Sequence, residues 1–122
     1  MPVFLDFNGF GCVNCRKMEA AVLSKPEVAE HMHKYVLISL IVDDKTKLAE
    51  PITVEENGKT TTLRTIGDKW SYLQRSKFGA NAQPFYVLLD NEGNPLSHSY
   101  SYDEDIDRFV DYLQGGLKAY KK

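Results

Sequence analysis

Two cysteines three positions apart, Cys12-Val13-Asn14-Cys15, follow a short apolar run and open a stretch of helical periodicity. No other feature constrains the chain as much. Two cysteines are too few to staple a small disulfide scaffold. A bare C-x-x-C is half a zinc site, a redox dithiol, or a chance pairing. Zinc needs two further ligands. The histidines are His31, His33 and His98, there is no second C-x-x-C, and His31-Met32-His33 is too closely spaced for a finger. The context of the pair has to separate the other two readings.

Val3-Phe4-Leu5-Asp6-Phe7 has the length and β propensity of a buried strand, and Asn8-Gly9-Phe10-Gly11 is a turn-rich break. Cys15, Met18 and Val22 recur at helical spacing, which predicts a helix from about Val13 to Leu23. The cysteines therefore sit where a strand's loop enters a helix. Ser24-Lys25-Pro26-Glu27 reads as a capping box opening a second helix, or a kinked continuation of the first, to about His33, and Tyr35 to Val42 as a second strand. Strand, helix and strand in this order form a βαβ unit with parallel strands.

The polar segment 43–67 breaks the rhythm and reads as an insertion, with Asn57-Gly58 as a type I′ turn between Thr53 and Leu63. Asp68 is the expected N-cap of a helix carrying Trp70 and Leu73 and ending at Phe78 before Gly79. Phe85 to Asp90 is a third strand, and Pro95 to Tyr102 an antiparallel fourth after the Asn91-Glu92-Gly93-Asn94 turn. Ser101 to Glu104 reads as a capping box for a last helix with the stripe Ile106, Phe109, Val110, Leu113.

Composition closes off other classes. With 122 residues, 43% apolar and 26% charged, the chain is one globular domain, 1–122, and not a disordered one. A net charge of −2 leaves no electrostatic footprint for nucleic acid. The apolar stretch around Val36–Val42 is far below the roughly 20 residues that span a bilayer, and Met1 is not followed by a signal-peptide pattern.

The order βαβ, α, ββ, α with C-x-x-C after the first strand resembles the thioredoxin fold. This implies an α/β architecture: a central mixed four-stranded sheet of order 2-1-3-4, last strand antiparallel, flanked by helices. Val3 to Phe7 followed by Gly11-Cys12-Val13-Asn14-Cys15-Arg16-Lys17-Met18-Glu19 is similar to the C-terminal thioredoxin-like domain of the DsbD family of thiol:disulfide interchange proteins. Cys12 at a helix N-terminus, where unpaired N–H groups favour an anion, is the expected attacking thiolate, and Cys15, one turn in, the expected resolving thiol. Asp6 is a carboxylate within a buried strand, costly unless paired or neutralised. The resemblance implies that it accepts the proton of the second cysteine and that Glu19 shares this thiol-tuning role. It also implies that Pro84, after Gln83, is cis and lies beside the dithiol, where the neighbouring backbone can pair with an extended substrate. Phe10 and Gly11 replace the pair of residues, ending in Trp, that usually precedes the first cysteine in thioredoxins, so the partner-facing surface differs.

The function implied is that of a protein-disulfide reductase or electron relay. It would take electrons from a membrane-embedded dithiol and pass them to periplasmic thioredoxin-like proteins, without metal or organic cofactor. The location implied is the periplasm, as a domain of an inner-membrane protein. The alternatives are a free-standing thioredoxin-like reductase and a non-catalytic binding or chaperone module. Finally, Tyr35–Val42 would be an apolar edge strand, which predicts that the 43–67 segment or a second subunit covers it.

Overall fold

Alternation of side chains along the central strand builds the architecture. In the computed structural model, which describes residues 1–121, strand β1 (Val3–Asn8) sends Phe4, Asp6 and Asn8 to one face and Leu5 and Phe7 to the other. Phe4 joins Met18, Val22, Val28, Tyr86, Leu88, Phe109 and Leu113 in one buried cluster. Leu5 and Phe7 join Leu40, Phe85, Val87 and Leu89 in a second, against which Trp70, Leu73 and Phe78 pack. The sheet is thus covered on both faces, the layering expected of an α/β domain.

The first face carries helix α1 (Val13–Met18), a π-helical turn (Glu19–Leu23), α2 (Pro26–Met32) and the C-terminal helix α4 (Ile106–Tyr120). The second carries α3 (Ile66–Phe78). In the sheet, β2 (Val36–Ile41) pairs in parallel with β1, as the βαβ reading predicts, and β5 (Phe85–Leu89) pairs antiparallel on its other side. The order is β2-β1-β5.

The fourth strand is reduced to two isolated bridges, Tyr86 with Tyr100 and Leu89 with Pro95. The returning segment spends five residue steps where β5 spends three, so the residues between the bridges buckle out of the ladder.

Helix boundaries also move. Ser24 does not cap α2: its hydroxyl donates to the Ala20 carbonyl, and Lys25 takes the N-cap position with no side-chain bond. Thr65, not Asp68, caps α3; Asp68 is the third residue of a reciprocal capping box, receiving the Thr65 N–H while Thr65 Oγ1 receives its own. Asp105 caps α4 in place of Ser101, and the helix runs through Gly115-Gly116 to Tyr120. Gly116 lets α4 touch the sheet, since a Cβ there would lie 2.4 Å from Leu88 Cδ1 and 2.5 Å from Tyr35 Oη.

Segment 43–67 forms the hairpin β3 (Lys47–Glu56) and β4 (Lys59–Thr65), turning through positive φ at Asn57 and Gly58. It does not cover the β2 edge. Among the described residues the two strands pair only with each other, and they pack on α3, where Arg75 holds Glu56 through two bonds of 2.6 and 3.0 Å. Val36, Leu37 and Ile38 of β2 stay 45, 51 and 39% exposed.

Candidate active site

Three chain segments converge at one end of the sheet. The loop after β1 runs from Gly9 into α1, the loop after β2 begins at Asp43, and β5 is entered through Gln83 and Pro84. The β1–β5 register pairs Phe7 with Phe85, so the next step sets Pro84 beside Asn8, where the first loop leaves the sheet. The Gln83–Pro84 bond is cis.

Cys12 is the N-cap of α1. Its backbone is extended, and its Sγ accepts the Cys15 N–H at 3.1 Å, so one of the helix's unpaired donors points at this sulfur. Cys12 and Cys15 are joined in a disulfide. The two sulfurs are not equivalent: Cys12 is half-buried, whereas Cys15 is 1% exposed against the helix's inner side. Phe10 and Val13 flank Cys12 with 67 and 66% exposure and form an apolar rim around it.

The loop before Cys12 is held from the turn that follows β2. The Asp43 carboxylate accepts the Phe10 N–H at 2.7 Å and the Gly11 N–H at 3.0 Å, and these bonds pull its pKa below the ordinary carboxylate range. Gly9 passes close beneath, where a Cβ would lie 3.3 Å from Asp43 Oδ2.

Asp6 lies on the sheet face that carries α1 and the π-helical turn, and is 8% exposed. Burial raises its pKa from 3.8 to about 6. The Asn8 amide opposes the rise, the Glu19 charge adds to it, and Arg16 and Ser39 oppose it more weakly. Among the described residues its Oδ1 has no hydrogen-bond partner. Asn8 Nδ2 donates at 3.2 Å to Asp6 Oδ2 and at 3.2 Å to Glu19 Oε2, so the two expected acids meet through a third residue. Arg16 pairs with Glu19 at 3.1 Å and donates to Asn8 Oδ1.

Of the residues singled out in the sequence, the structure groups Cys12, Cys15, Asp6 and Glu19 about α1, with Phe10 and Gly11 on its approach and Gln83 and Pro84 on the neighbouring strand entry. Sequence reasoning missed four others. Asn8 carried a signal: it is two residues from Asp6 in the same strand and therefore on the same face. Asp43 directly follows the strand expected at Tyr35–Val42. Arg16 is one helical turn past Cys12. Gln74 carried no signal; it is fully buried in α3, donates to the Ala82 carbonyl at 2.8 Å and accepts from Gln83 Nε2 at 2.9 Å, bracing the entry to Pro84. Among the described residues no cluster of three or more His, Cys, Asp or Glu could hold a metal ion, and no helix is long and apolar enough to cross a membrane.

The profile of the Thioredoxin-like domain family matches residues 1–115. No curated protein matches the chain by sequence. Several solved structures share the fold. The C-terminal domain of DsbD from Neisseria meningitidis, in its reduced form, superposes with a TM-score of 0.60 at 18% identity, over 94% of this chain and 80% of that one. A thioredoxin-fold protein from Helicobacter pylori gives 0.67 at 13% identity, over 99% and 72%. The DsbH oxidoreductase gives 0.61 at 16% identity, over 96% and 72%.

Proposed function

The chain belongs to the Thioredoxin-like domain family, and from that premise we propose that it is a protein-disulfide reductase or electron relay working through Cys12 and Cys15. The observation that carries this reading is the asymmetry of the pair: a half-buried Cys12 on a helix N-cap within an apolar rim, and a Cys15 sealed at 1% exposure on the helix that faces a buried acid.

In the reduced protein, the Cys12 thiolate attacks one sulfur of a partner disulfide. A mixed disulfide forms and the partner's other sulfur leaves as a thiolate. Cys15 then gives its proton to the Asp6 carboxylate, whose raised pKa suits it to hold a proton near neutral pH. The Cys15 thiolate attacks Cys12 Sγ, the Cys12–partner bond breaks, and the second partner thiolate departs. Two electrons have passed to the partner, and the chain carries the Cys12–Cys15 disulfide. A dithiol donor restores it by the reverse exchange.

Phe10, Gly11, Gln83 and Pro84 form the surface on which an extended partner segment lies, with backbone groups beside Pro84 as its hydrogen-bond partners. The exchange uses no metal or organic cofactor. The likeness to DsbD supports a donor that is a membrane-embedded dithiol and acceptors that are periplasmic thioredoxin-like proteins, with the domain held in the periplasm by an inner-membrane protein.

Insulin reduction with dithiothreitol tests the activity: the chain should accelerate insulin precipitation and Cys12→Ser should not. No acceleration by the unaltered chain would sink the proposal. A measured reduction potential then tests the direction, since a relay that reduces periplasmic partners needs a potential below theirs.

A further inference from the structure

We propose that Asn8 is a positioning residue that joins Asp6 and Glu19 into one acid beneath the dithiol, so that the resolving proton is taken up by the pair and not by Asp6 alone. This rests on the exchange function proposed above.

Every polar atom of the Asn8 side chain is used. Its two N–H groups serve the two carboxylates, one on β1 and one at the start of the π-helical turn, each at 3.2 Å. Its Oδ1 accepts the Gly9 N–H at 2.7 Å and a guanidinium N–H of Arg16. The amide's orientation follows from these partners, since two carboxylates require N–H groups, while a backbone N–H and a guanidinium require an oxygen. The same guanidinium donates to the Gly9 carbonyl at 3.3 Å and closes the ring onto Glu19. Asn8 is 6% exposed, so a lost partner here is not replaced by bulk water.

Without Asn8, Glu19 has no tie to the buried carboxylate. Its side chain is 42% exposed, and the pair with Arg16 is one helical turn long and can turn outward as a unit. With Asn8, the Glu19 charge is fixed close to Asp6. A cavity of about 220 Å³ is lined by Asp6, Asn8 and Glu19 and also by Leu37 and Ile38 of the exposed edge strand, which gives the pair contact with solvent on the β2 side. The other polar groups facing Asp6 are Ser39 across β2 and Tyr86 across β5, with Arg16 from α1. Tyr86 stays neutral, because burial and the Asp6 and Glu19 charges push its pKa up.

A double-mutant cycle reads this linkage without turnover. The carboxyl ¹³C signal of residue 6 is titrated in the reduced full chain as wild type, Glu19→Gln, Asn8→Ala and the double variant. Glu19→Gln should lower the Asp6 midpoint by about one pH unit when Asn8 is present, and by less than a third of that in Asn8→Ala. The pH profile of mixed-disulfide resolution should move in parallel. Equal displacement in both backgrounds makes Asn8 merely structural and overturns the proposal. If Asn8→Ala does not fold, Asn8→Ser, whose single hydroxyl cannot serve both acids, is judged by the same criterion. A chain that shows the linkage yet fails to reduce insulin would refute the exchange function, and with it the resolving-proton role, while the joining of the two acids by Asn8 would stand.

Discussion

Replacing Asp6 by asparagine should stabilise the oxidised protein, and only above a defined pH. The carboxyl is 8% exposed with one oxygen unpartnered, and burial lifts its pKa from 3.8 to about 6. At about 1.36 kcal/mol per pH unit, the charged form costs the fold about 3 kcal/mol. That is a large part of the roughly 5–15 kcal/mol that holds a domain together. The sign follows from linkage. Below pH 3.8 the carboxyl is neutral both folded and unfolded, and the replacement gains nothing. Between 3.8 and about 6 folding takes up a proton, so wild-type stability from this group falls as pH rises. Above about 6 both states are charged and the whole penalty is present. The amide introduced by the substitution would keep an oxygen for Asn8 Nδ2 and turn its own N–H groups toward the cavity. Urea unfolding of both proteins at several pH values between 3.5 and 8 measures this, with an unchanged m-value as the control. Asp6→Asn should match wild type at the acid end and exceed it by up to about 3 kcal/mol at the alkaline end, near 10 °C in Tm. A difference that does not vary with pH, or a variant less stable at pH 8, would refute the burial argument.

Other perturbations have equally definite outcomes. Cys15→Ser should accumulate a mixed disulfide through Cys12 with a disulfide-bearing thioredoxin-like partner on a non-reducing gel, and Cys12→Ser should not; equal trapping by both would reverse or abolish the assigned roles. Gly116→Ala drives a methyl into Leu88 and Tyr35 and should cost about 1–3 kcal/mol. Gly115→Ala, with nothing near its Cβ, should stabilise by about 0.5–1 kcal/mol, and a scan that ranks them the other way contradicts the packing. Asp43→Ala should speed hydrogen exchange at the Phe10 and Gly11 amides at least about tenfold. In the wild type that protection should persist below the ordinary carboxylate pKa and be lost as pH falls through the depressed value of Asp43, because a carboxylate stabilised by backbone N–H groups ionises early.

The features legible in the sequence were those set by local rules. Val3 to Phe7 is a strand because nothing in it can turn, Asn57-Gly58 turns because both residues tolerate positive φ, and Gly79 ends α3 at φ 67° for the same reason. The stripe of α4 was visible because it is periodic. What stayed hidden depends on spacing in three dimensions. Ser24 and Asp68 have capping chemistry, but the chain passes one and three residues away from where they were placed. The alternation after Pro95 is strand-like, but its length does not match β5 and the ladder fails. The uncovered β2 edge depends on where the hairpin packs, which no local pattern records. In the site, the cysteines and the two acids stood out by motif. Asn8 was marked only by its alternation with Asp6 along the strand, and Gln74 by nothing, because a buried amide announces itself through its partners.

The hairpin leaves and rejoins the domain at one point. The Gly67 N–H donates to the Asp44 carbonyl at 2.9 Å, and a Cβ on Gly67 would lie 2.5 Å from the Val42 carbonyl oxygen and 2.7 Å from Asp44 N and O. Residues 45–66 are therefore a closed excursion whose two ends are already fastened together. Closing a loop costs little more as it lengthens, only about 0.6 kcal/mol per doubling. The excursion thus behaves as a cassette: with the buried Leu63, the Thr65 cap and Ile66 of α3, and Gly67 retained, the rest of its length and sequence can be exchanged while the sheet keeps its register. Its tip at Asn57-Gly58, beyond the Glu56 clamp on α3, is a port into which a foreign peptide or reporter domain can be grafted, leaving the dithiol as it was.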